Sequence, residues 1–427
     1  MNFIEMIQKF SLYIFITLLS IQSLQANQIL VPMDEEQSNH LKAYGVTYWI
    51  LEKEIPIDWL LNYRGGSFMV ESKQSIINEL IIRGVSYEII SDAAANNLLD
   101  EIASPSSNKD AMRLDKVPNI AVYSPKSKQP WDDAVTLVLT YAEIPYDVIF
   151  DDEIMTEGLS EYDWLHLHHE DFTGQYGKFY RSYANQPWYI EQQKEYEAMA
   201  KKHGFRKVSQ LKLAITQKIR SFVNKGGFLF AMCSATDTYD IALSAAGVDI
   251  AARMYDGDPA DPNAQEKLDY EQTLAFEDFK LEMNPLEYEY SNIDQNQIDR
   301  PGIKEGNDFF TLFEFSAKWD PIPTMLTQNH EKLVKGFMGQ TTAYKKKLIK
   351  PDVVILGENS SINEARYIHG IFGDGFWTFY GGHDPEDYQH FVGEPPTDLN
   401  LHPNSPGYRL ILNNILFPAA KKKKKKT

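Results

Sequence analysis

Cys233 is the only cysteine in the chain, and it stands where an apolar run gives way to small and polar residues: Gly226-Gly227-Phe228-Leu229-Phe230-Ala231-Met232-Cys233-Ser234-Ala235-Thr236. A strand that ends on a nucleophile and turns sharply into a helix needs small residues two positions to either side. Ala231 and Ala235 meet that need. Such a thiol could attack an acyl carbon, and the backbone N–H of Ser234 would then face the developing oxyanion. A lone cysteine is also a small hydrophobe that packs well in a core, so the spacing alone leaves both uses open.

A thiol becomes a thiolate beside a base, and the base needs a third group to fix its tautomer. The segment Gly375-Phe376-Trp377-Thr378-Phe379-Tyr380 reads as a strand, and Gly381-Gly382-His383-Asp384-Pro385-Glu386-Asp387 follows it. His383 and Glu386 are therefore the expected catalytic partners of Cys233. A second chemistry comes from His166, His168 and His169, followed by Glu170 and Asp171. On a strand His166 and His168 share a face, a spacing that could hold a metal with help from His383, His390 or His369. No full metal-binding signature is present, so the identity of any metal is left unknown. The acidic run from Asp256 to Asn263 lacks the spacing of a calcium loop and reads as a solvated turn.

The elements that must position these groups fall into two parts. Residues 27–114 read as a small α+β domain. Its strand-like stretches are Val46 to Leu51, Trp59 to Tyr63 and Val85 to Ile90, and its helices run Lys73 to Arg83 and Asp92 to Ile102. Ser104-Pro105-Ser106-Ser107-Asn108 is the linker candidate. From Pro118 short apolar strands alternate with helices: Asn119 to Tyr123, Tyr146 to Phe150, Tyr162 to Leu167 and Gly227 to Met232. Asp132 to Tyr141, Glu191 to Lys202 and Val208 to Val223 read as helices. That alternation predicts a mostly parallel sheet covered on both faces, with ligands at the carboxyl ends of its strands. On that edge Trp131, His168, His169 and Glu170 become candidate substrate contacts. Residues 251–351 read as a long insertion within a domain spanning 117–418.

Composition narrows the class further. Hydrophobic residues at 43% and charged residues at 24% are ordinary globular values, so neither disorder nor a membrane bundle is indicated. The formal charge is −18; without the six lysines Lys421 to Lys426 of a basic tail over 419–427, it is −24. Such a body repels phosphate backbones, which argues against a nucleic-acid partner. Lys9, the apolar stretch Phe10 to Ile21 and Ala26 read as a signal peptide over residues 1–26, with export to the periplasm. No later segment is long and apolar enough to span a bilayer. A single cysteine in an exported protein cannot form an internal disulfide, which leaves its thiol buried or kept for chemistry.

With these residues in place the chain resembles the class I glutamine amidotransferase-like superfamily over Val117 to Phe417. Cys233 matches that group's elbow cysteine, while His383 and Glu386 resemble its later His-Pro-Glu. The phrases Gly226-Gly227-Phe228-Leu229, Tyr380-Gly381-Gly382-His383-Asp384-Pro385-Glu386 and Tyr408 to Leu416 are most similar to its trehalose-utilisation (ThuA-like) branch. The resemblance implies a flavodoxin-like α/β fold. Three departures stand out: alanine at both elbow flanks, the extra Asp384, and His168-His169-Glu170-Asp171 where amidotransferases carry a glycine-rich oxyanion loop. The whole chain also resembles exported Bacteroidetes proteins labelled asparagine synthetase B. Residue 2 is asparagine rather than the required cysteine, and no Ser-Gly-Gly-x-Asp-Ser loop is found, so that activity is not expected.

The expected function is thiol-dependent hydrolysis or transfer at an amide or acyl bond of a small molecule, glycan or peptide, through Cys233, His383 and Glu386 and without a cofactor. The alternatives are a non-catalytic envelope protein that binds a sugar or peptide in the same cleft, or a metal-assisted hydrolase.

Overall fold

The computed structural model describes residues 27–126, 129–295 and 299–420. The expected signal peptide, and all of the basic tail beyond Ala420, lie outside the described residues. Ala419 and Ala420 pack back on the first sheet, where Asp115 N–H donates to the Ala419 carbonyl at 3.1 Å.

Two sheets organise the chain. The first contains β1 (Asn27–Val31), β2 (Ile57–Leu61), β3 (Ser67–Glu71), β4 (Glu88–Ser91) and β5 (Asp110–Leu114), ordered β4-β1-β3-β2-β5 and antiparallel throughout. Its helices are α1 (His40–Glu52), α2 (Gln74–Arg83) and α3 (Asp92–Ala103). The stretch Val46 to Leu51, expected as a strand, lies inside α1. That helix is buried at ten of its thirteen residues, so it has almost no polar face to reveal a helical period. Asn39 caps it, accepting from Lys42 N–H at 2.9 Å.

The second sheet contains β6 (Ile120–Tyr123), β7 (Asp147–Ile149), β8 (Trp164–Leu167), β9 (Phe228–Met232), β10 (Phe309–Leu312), β11 (Leu333–Lys335), β12 (Tyr344–Lys345), β13 (Val354–Asn359), β14 (Glu364–Phe372) and β15 (Gly375–Tyr380). Its path is β11-β10-β13-β14-β15-β9-β8-β6-β7, with β12 paired to β14. Pairings among β15, β9, β8, β6 and β7 are parallel, while all those involving β10 to β14 are antiparallel. The expected flavodoxin-like, mostly parallel sheet is therefore replaced by a mixed one. Strand-helix alternation holds only as far as β9. Beyond it, the expected insertion supplies β10, β11 and β12, and the hairpin-linked β13, β14 and β15 follow without a crossover helix.

Helices α4 (Ala134–Ala142), α5 (Pro187–Lys202), α6 (Val208–Asn224), α7 (Ala235–Ser244) and α8 (Pro406–Leu416) complete the main layers. Helix α1 packs on α4 and α8, so one hydrophobic core runs from the first sheet to the second. The approach of α1 to α4 is close: a Cβ at Gly45 would fall 1.8 Å from the Ala142 carbonyl oxygen. Among the described residues no helix is long and apolar enough to cross a membrane.

The antiparallel half holds a buried charge network. Arg366 on β14 donates to both oxygens of Asp308 at 2.9 and 2.8 Å, to Glu364 at 2.8 Å, and to the carbonyls of Phe337 and Thr342. Arg300 completes it with bonds to Glu364 and an ion pair to Asp308 at 2.7 Å. Two cations against two carboxylates balance; removing one cation strands a buried negative charge. We expect Arg366→Met to cost about 3–5 kcal/mol in urea unfolding; a loss below about 1 kcal/mol would show that this network does not hold the sheet.

Candidate active site

Strand β9 is buried along its whole length and ends in Cys233, which takes a left-handed φ of 49° before α7 begins. A side chain there costs about 1–2 kcal/mol, because Cβ crowds the following carbonyl. Backbone bonds hold the turn. Cys233 N–H donates to the Gly382 carbonyl at 3.1 Å, and Ala235 N–H donates to the His168 carbonyl at 2.9 Å. Because Leu167 pairs with Ala231, and Met232 with Tyr380, the residues after β8, β9 and β15 emerge at one edge. Ala231 and Ala235 are fully buried at the flanks.

His383 sits beside Cys233, and its ring is held by Asp132, with Nε2 3.4 Å from Oδ1. Burial opposes a charge on this imidazole. Hydrogen bonds to Asp132 and Cys233 and the charges of both outweigh it, and its pKa is pushed up to about 10. The same Asp132 oxygen lies 3.1 Å from His390 Nε2, and Asp387 accepts from the other nitrogen of His390 at 2.8 Å. Burial would raise the Asp132 carboxyl, but His383 and His390 hold it below its ordinary value.

Glu386 does not take the orienting role expected for it. Its carboxylate lies 3.1 Å from His402 Nδ1, and its N–H donates to the Asp384 carboxylate at 2.8 Å. The turn made by the extra Asp384 carries Glu386 away from His383, and Asp132, distant in sequence, stands there instead.

Asp133, the next residue, serves a second pair of histidines. Its Oδ2 lies 3.1 Å from His166 Nε2 and 3.2 Å from His168 Nδ1, while Oδ1 caps α4 at Thr136 N–H. Burial would raise this carboxyl, yet the two imidazoles hold it well below the usual range. His168 packs against His383 with the rings tilted and their centres 4.6 Å apart. Burial lowers the pKa of His168 to about 4 and takes that of His169 well below normal, which leaves His383 as the cation of this group.

A loop from the expected insertion reaches the sulfur. Gln340 N–H donates to Cys233 Sγ at 3.3 Å. A Cβ at Gly339 would lie 3.1 Å from that sulfur and 2.9 Å from His383 N, so the approach needs glycine. Thr341 donates to Asp237 at 2.9 Å, Thr342 and Ala343 N–H donate to Asp294, and the Gln340 side chain donates to the Gly177 carbonyl at 2.7 Å.

Cys233, His383, His169 and Trp131 line one cavity of about 450 Å³. Cys233 itself is 3% exposed. Among the expected substrate contacts, His168 lies behind His383 rather than on the cavity wall. Glu170 turns inward, accepting from His168 N–H at 3.2 Å, and burial pushes its pKa up to about 8. Ser234 is the N-cap of α7, which puts its N–H at the positive end of the helix; its hydroxyl is buried without a partner.

Nitrogens of His168, His169 and His383 lie within 4.8 Å of one another, as do ligand atoms of Asp132, His383 and His390, and of Asp133, His166 and His168. These sets could receive a divalent cation. His166 and His168 do share a face, but Asp133 occupies it. His369 pairs with Thr378 and joins none of the three sets. Asp132 and Gln340 were not among the sequence candidates, and His390 was one only as a metal ligand. The doublet Asp132-Asp133 before an apolar helix signals only a cap, and nothing in Gly339-Gln340-Thr341-Thr342 marks it as a neighbour of the thiol.

No family model and no curated protein matches the sequence. Among solved structures the chain is similar to two cytoplasmic proteins from Salmonella typhimurium, at 9% and 12% identity and TM-scores of 0.36 and 0.34. These cover 72% and 71% of this chain and 100% of each of theirs. A GH42 beta-galactosidase from Bacillus circulans sp. alkalophilus is similar over 63% of this chain and 29% of its own, at 12% identity and a TM-score of 0.26. Scores this low assign neither fold nor activity.

The strain at the elbow can be measured. Cys233→Gly relieves the left-handed penalty and Cys233→Ala keeps it, while both remove the sulfur. We expect the glycine variant to be the more stable by about 1 kcal/mol in chemical denaturation, after the entropy that glycine adds to the unfolded chain. An alanine variant of equal or greater stability would show that the turn is not under strain.

Proposed function

We propose that the protein is a thiol-dependent hydrolase or acyl transferase acting on an amide or related acyl bond. The observation that carries this reading is the convergence on one sulfur of a strained elbow, a buried histidine backed by a carboxylate, and the Gln340 N–H. The resemblance of Cys233 and His383 to the elbow cysteine and later histidine of the glutamine amidotransferase-like superfamily supports it. So does the exported setting that residues 1–26 suggest, where a hydrolase needs only water as co-reactant.

In this mechanism the sulfur attacks the acyl carbon and a C–S bond forms. The oxyanion faces Ser234 N–H at the start of α7. His383, protonated beside Asp132, gives its proton to the departing amine or alcohol as the old acyl bond breaks. Water or another acceptor then loses a proton to His383, attacks the thioester, and releases the acyl group with the thiolate and the protonated His383 restored. Asp132 orients the ring, and the neutral His168 packs against its face. Gln340 N–H stabilises the thiolate before it attacks and again as it leaves the acyl group.

A second reading rests on the three imidazoles His168, His169 and His383, since both ring nitrogens of His169 are buried without a hydrogen-bond partner. A divalent cation held there would draw His383 away from Cys233 and make a metal-bound water the nucleophile. Elemental analysis of the purified protein separates the two, because stoichiometric zinc or iron would displace the thiol mechanism.

Because Cys233 is the only thiol, alkylation reports on it alone. We expect iodoacetamide to label Cys233 at about pH 7 roughly tenfold faster than it labels glutathione, and His383→Gln to remove that advantage. Labelling no faster than glutathione, or unchanged by His383→Gln, would overturn the thiol reading.

A further inference from the structure

The cavity also carries two cations that the proposed mechanism does not use. Tyr176, Gly177 and Lys178 have φ of 50°, 72° and 56°, three left-handed residues in a row. Two of them carry side chains, so this turn is strained and must be held by its surroundings. Asp171 holds it, accepting from Thr173 N–H at 2.7 Å and Gly177 N–H at 3.1 Å. Gln340 holds it from the other side through the Gly177 carbonyl. The residue that brings an N–H to the sulfur thus also fixes the loop that carries Lys178.

Lys178 lines the cavity and is only 2% exposed, yet its Nζ donates to two carbonyls, Glu282 at 2.9 Å and Asn284 at 3.3 Å. Arg181, one turn further, also lines the cavity and donates to the Leu286 carbonyl at 3.4 Å. Among the described residues neither forms an ion pair. Elsewhere buried cations are matched: Lys212 with Asp151 at 3.0 Å, Arg300 and Arg366 with Asp308 and Glu364. Burial lowers the Lys178 pKa to about 8, against the opposing pull of the Glu282, Asp171, Glu289 and Glu287 carboxylates, none of which closes to ion-pair distance. Glu287 lines the same cavity and acts on Lys178 through its charge without forming an ion pair. Lys178 and Arg181 share this corner with His383 and His390, whose imidazoles already face Asp132.

We propose that Lys178 and Arg181 bind an anionic group of the substrate, so that the acyl compound presented to Cys233 carries a carboxylate or comparable anion. The inference rests on the thiol reading and deepens it. Carbonyl partners fix the direction of each cation without a carboxylate at contact distance, and the anion supplies that direct contact.

The test uses two alkylating reagents of similar size, neutral iodoacetamide and anionic iodoacetate, on the whole chain at low and high salt. We expect the iodoacetate-to-iodoacetamide rate ratio for Cys233 to exceed that for glutathione by about tenfold at low salt and to fall as salt is added. In Arg181→Gln, and further in Lys178→Met with Arg181→Gln, the ratio should fall several-fold toward that of glutathione. Arg181 is exposed, so its variant tests the proposal even if loss of Lys178 disturbs folding. A wild-type ratio no higher than that of glutathione, or one unmoved by either variant, overturns the anion site while leaving the thiol reading intact. Failure of both reagents to label Cys233 overturns the two together.

Discussion

The site depends on one backbone constraint: Cys233 held in a left-handed turn by the bond from its N–H to the Gly382 carbonyl. That bond joins the ends of two parallel strands at the point where each leaves the sheet. The sulfur and the His383 ring therefore approach one another as a consequence of strand register rather than of loop conformation. The strain is borne by the strands on either side, which are buried along almost their whole length and locked by parallel pairing on both edges of β9.

Charge is arranged around that pair with similar economy. Adjacent aspartates diverge, Asp132 toward His383 and His390, Asp133 toward His166 and His168. Only His383 meets both a carboxylate and the thiol, and its pKa rises where those of His168 and His169 fall. Burial makes His168 and His169 neutral, so they pack against the cation without repelling it. On the far side the network of Arg366, Asp308 and Glu364 anchors the carbonyls of Phe337 and Thr342, which flank the loop that brings Gln340 to the sulfur. The antiparallel half of the sheet is therefore part of how the site is built.

Much of the edge was legible in sequence because β6, β8, β9 and β15 are short apolar runs that end in polar or small residues. Cys233, His383, His169 and Trp131 could be placed on that edge for this reason. The rest was hidden by identifiable physics. Helix α1 is buried nearly all round and shows no period. Strand β14 is buried on both faces and carries Glu364 and Arg366 on one and His369 on the other, so it does not read as hydrophobic; the charges are satisfied by Asp308 and Arg300 from distant segments. Glu386 lies three residues from His383 in sequence, and the Asp384 turn separates their side chains in space. Asp132 and Gln340 reach the site from about 100 residues or more to either side of Cys233, a convergence that no local pattern encodes.

The central claim is that His383 is an imidazolium poised between Asp132 and Cys233. Its pKa is raised from 6.5 to about 10 on folding, so the stability it contributes is full below pH 6.5 and lost as pH rises through about 10. The most direct measurement is an NMR titration of the His383 ring in the intact protein and in Cys233→Ala and Asp132→Asn. The account predicts a ring that stays protonated through about pH 8 and titrates at lower pH in both variants. A His383 ring already neutral at about pH 7 in the unaltered protein would contradict it.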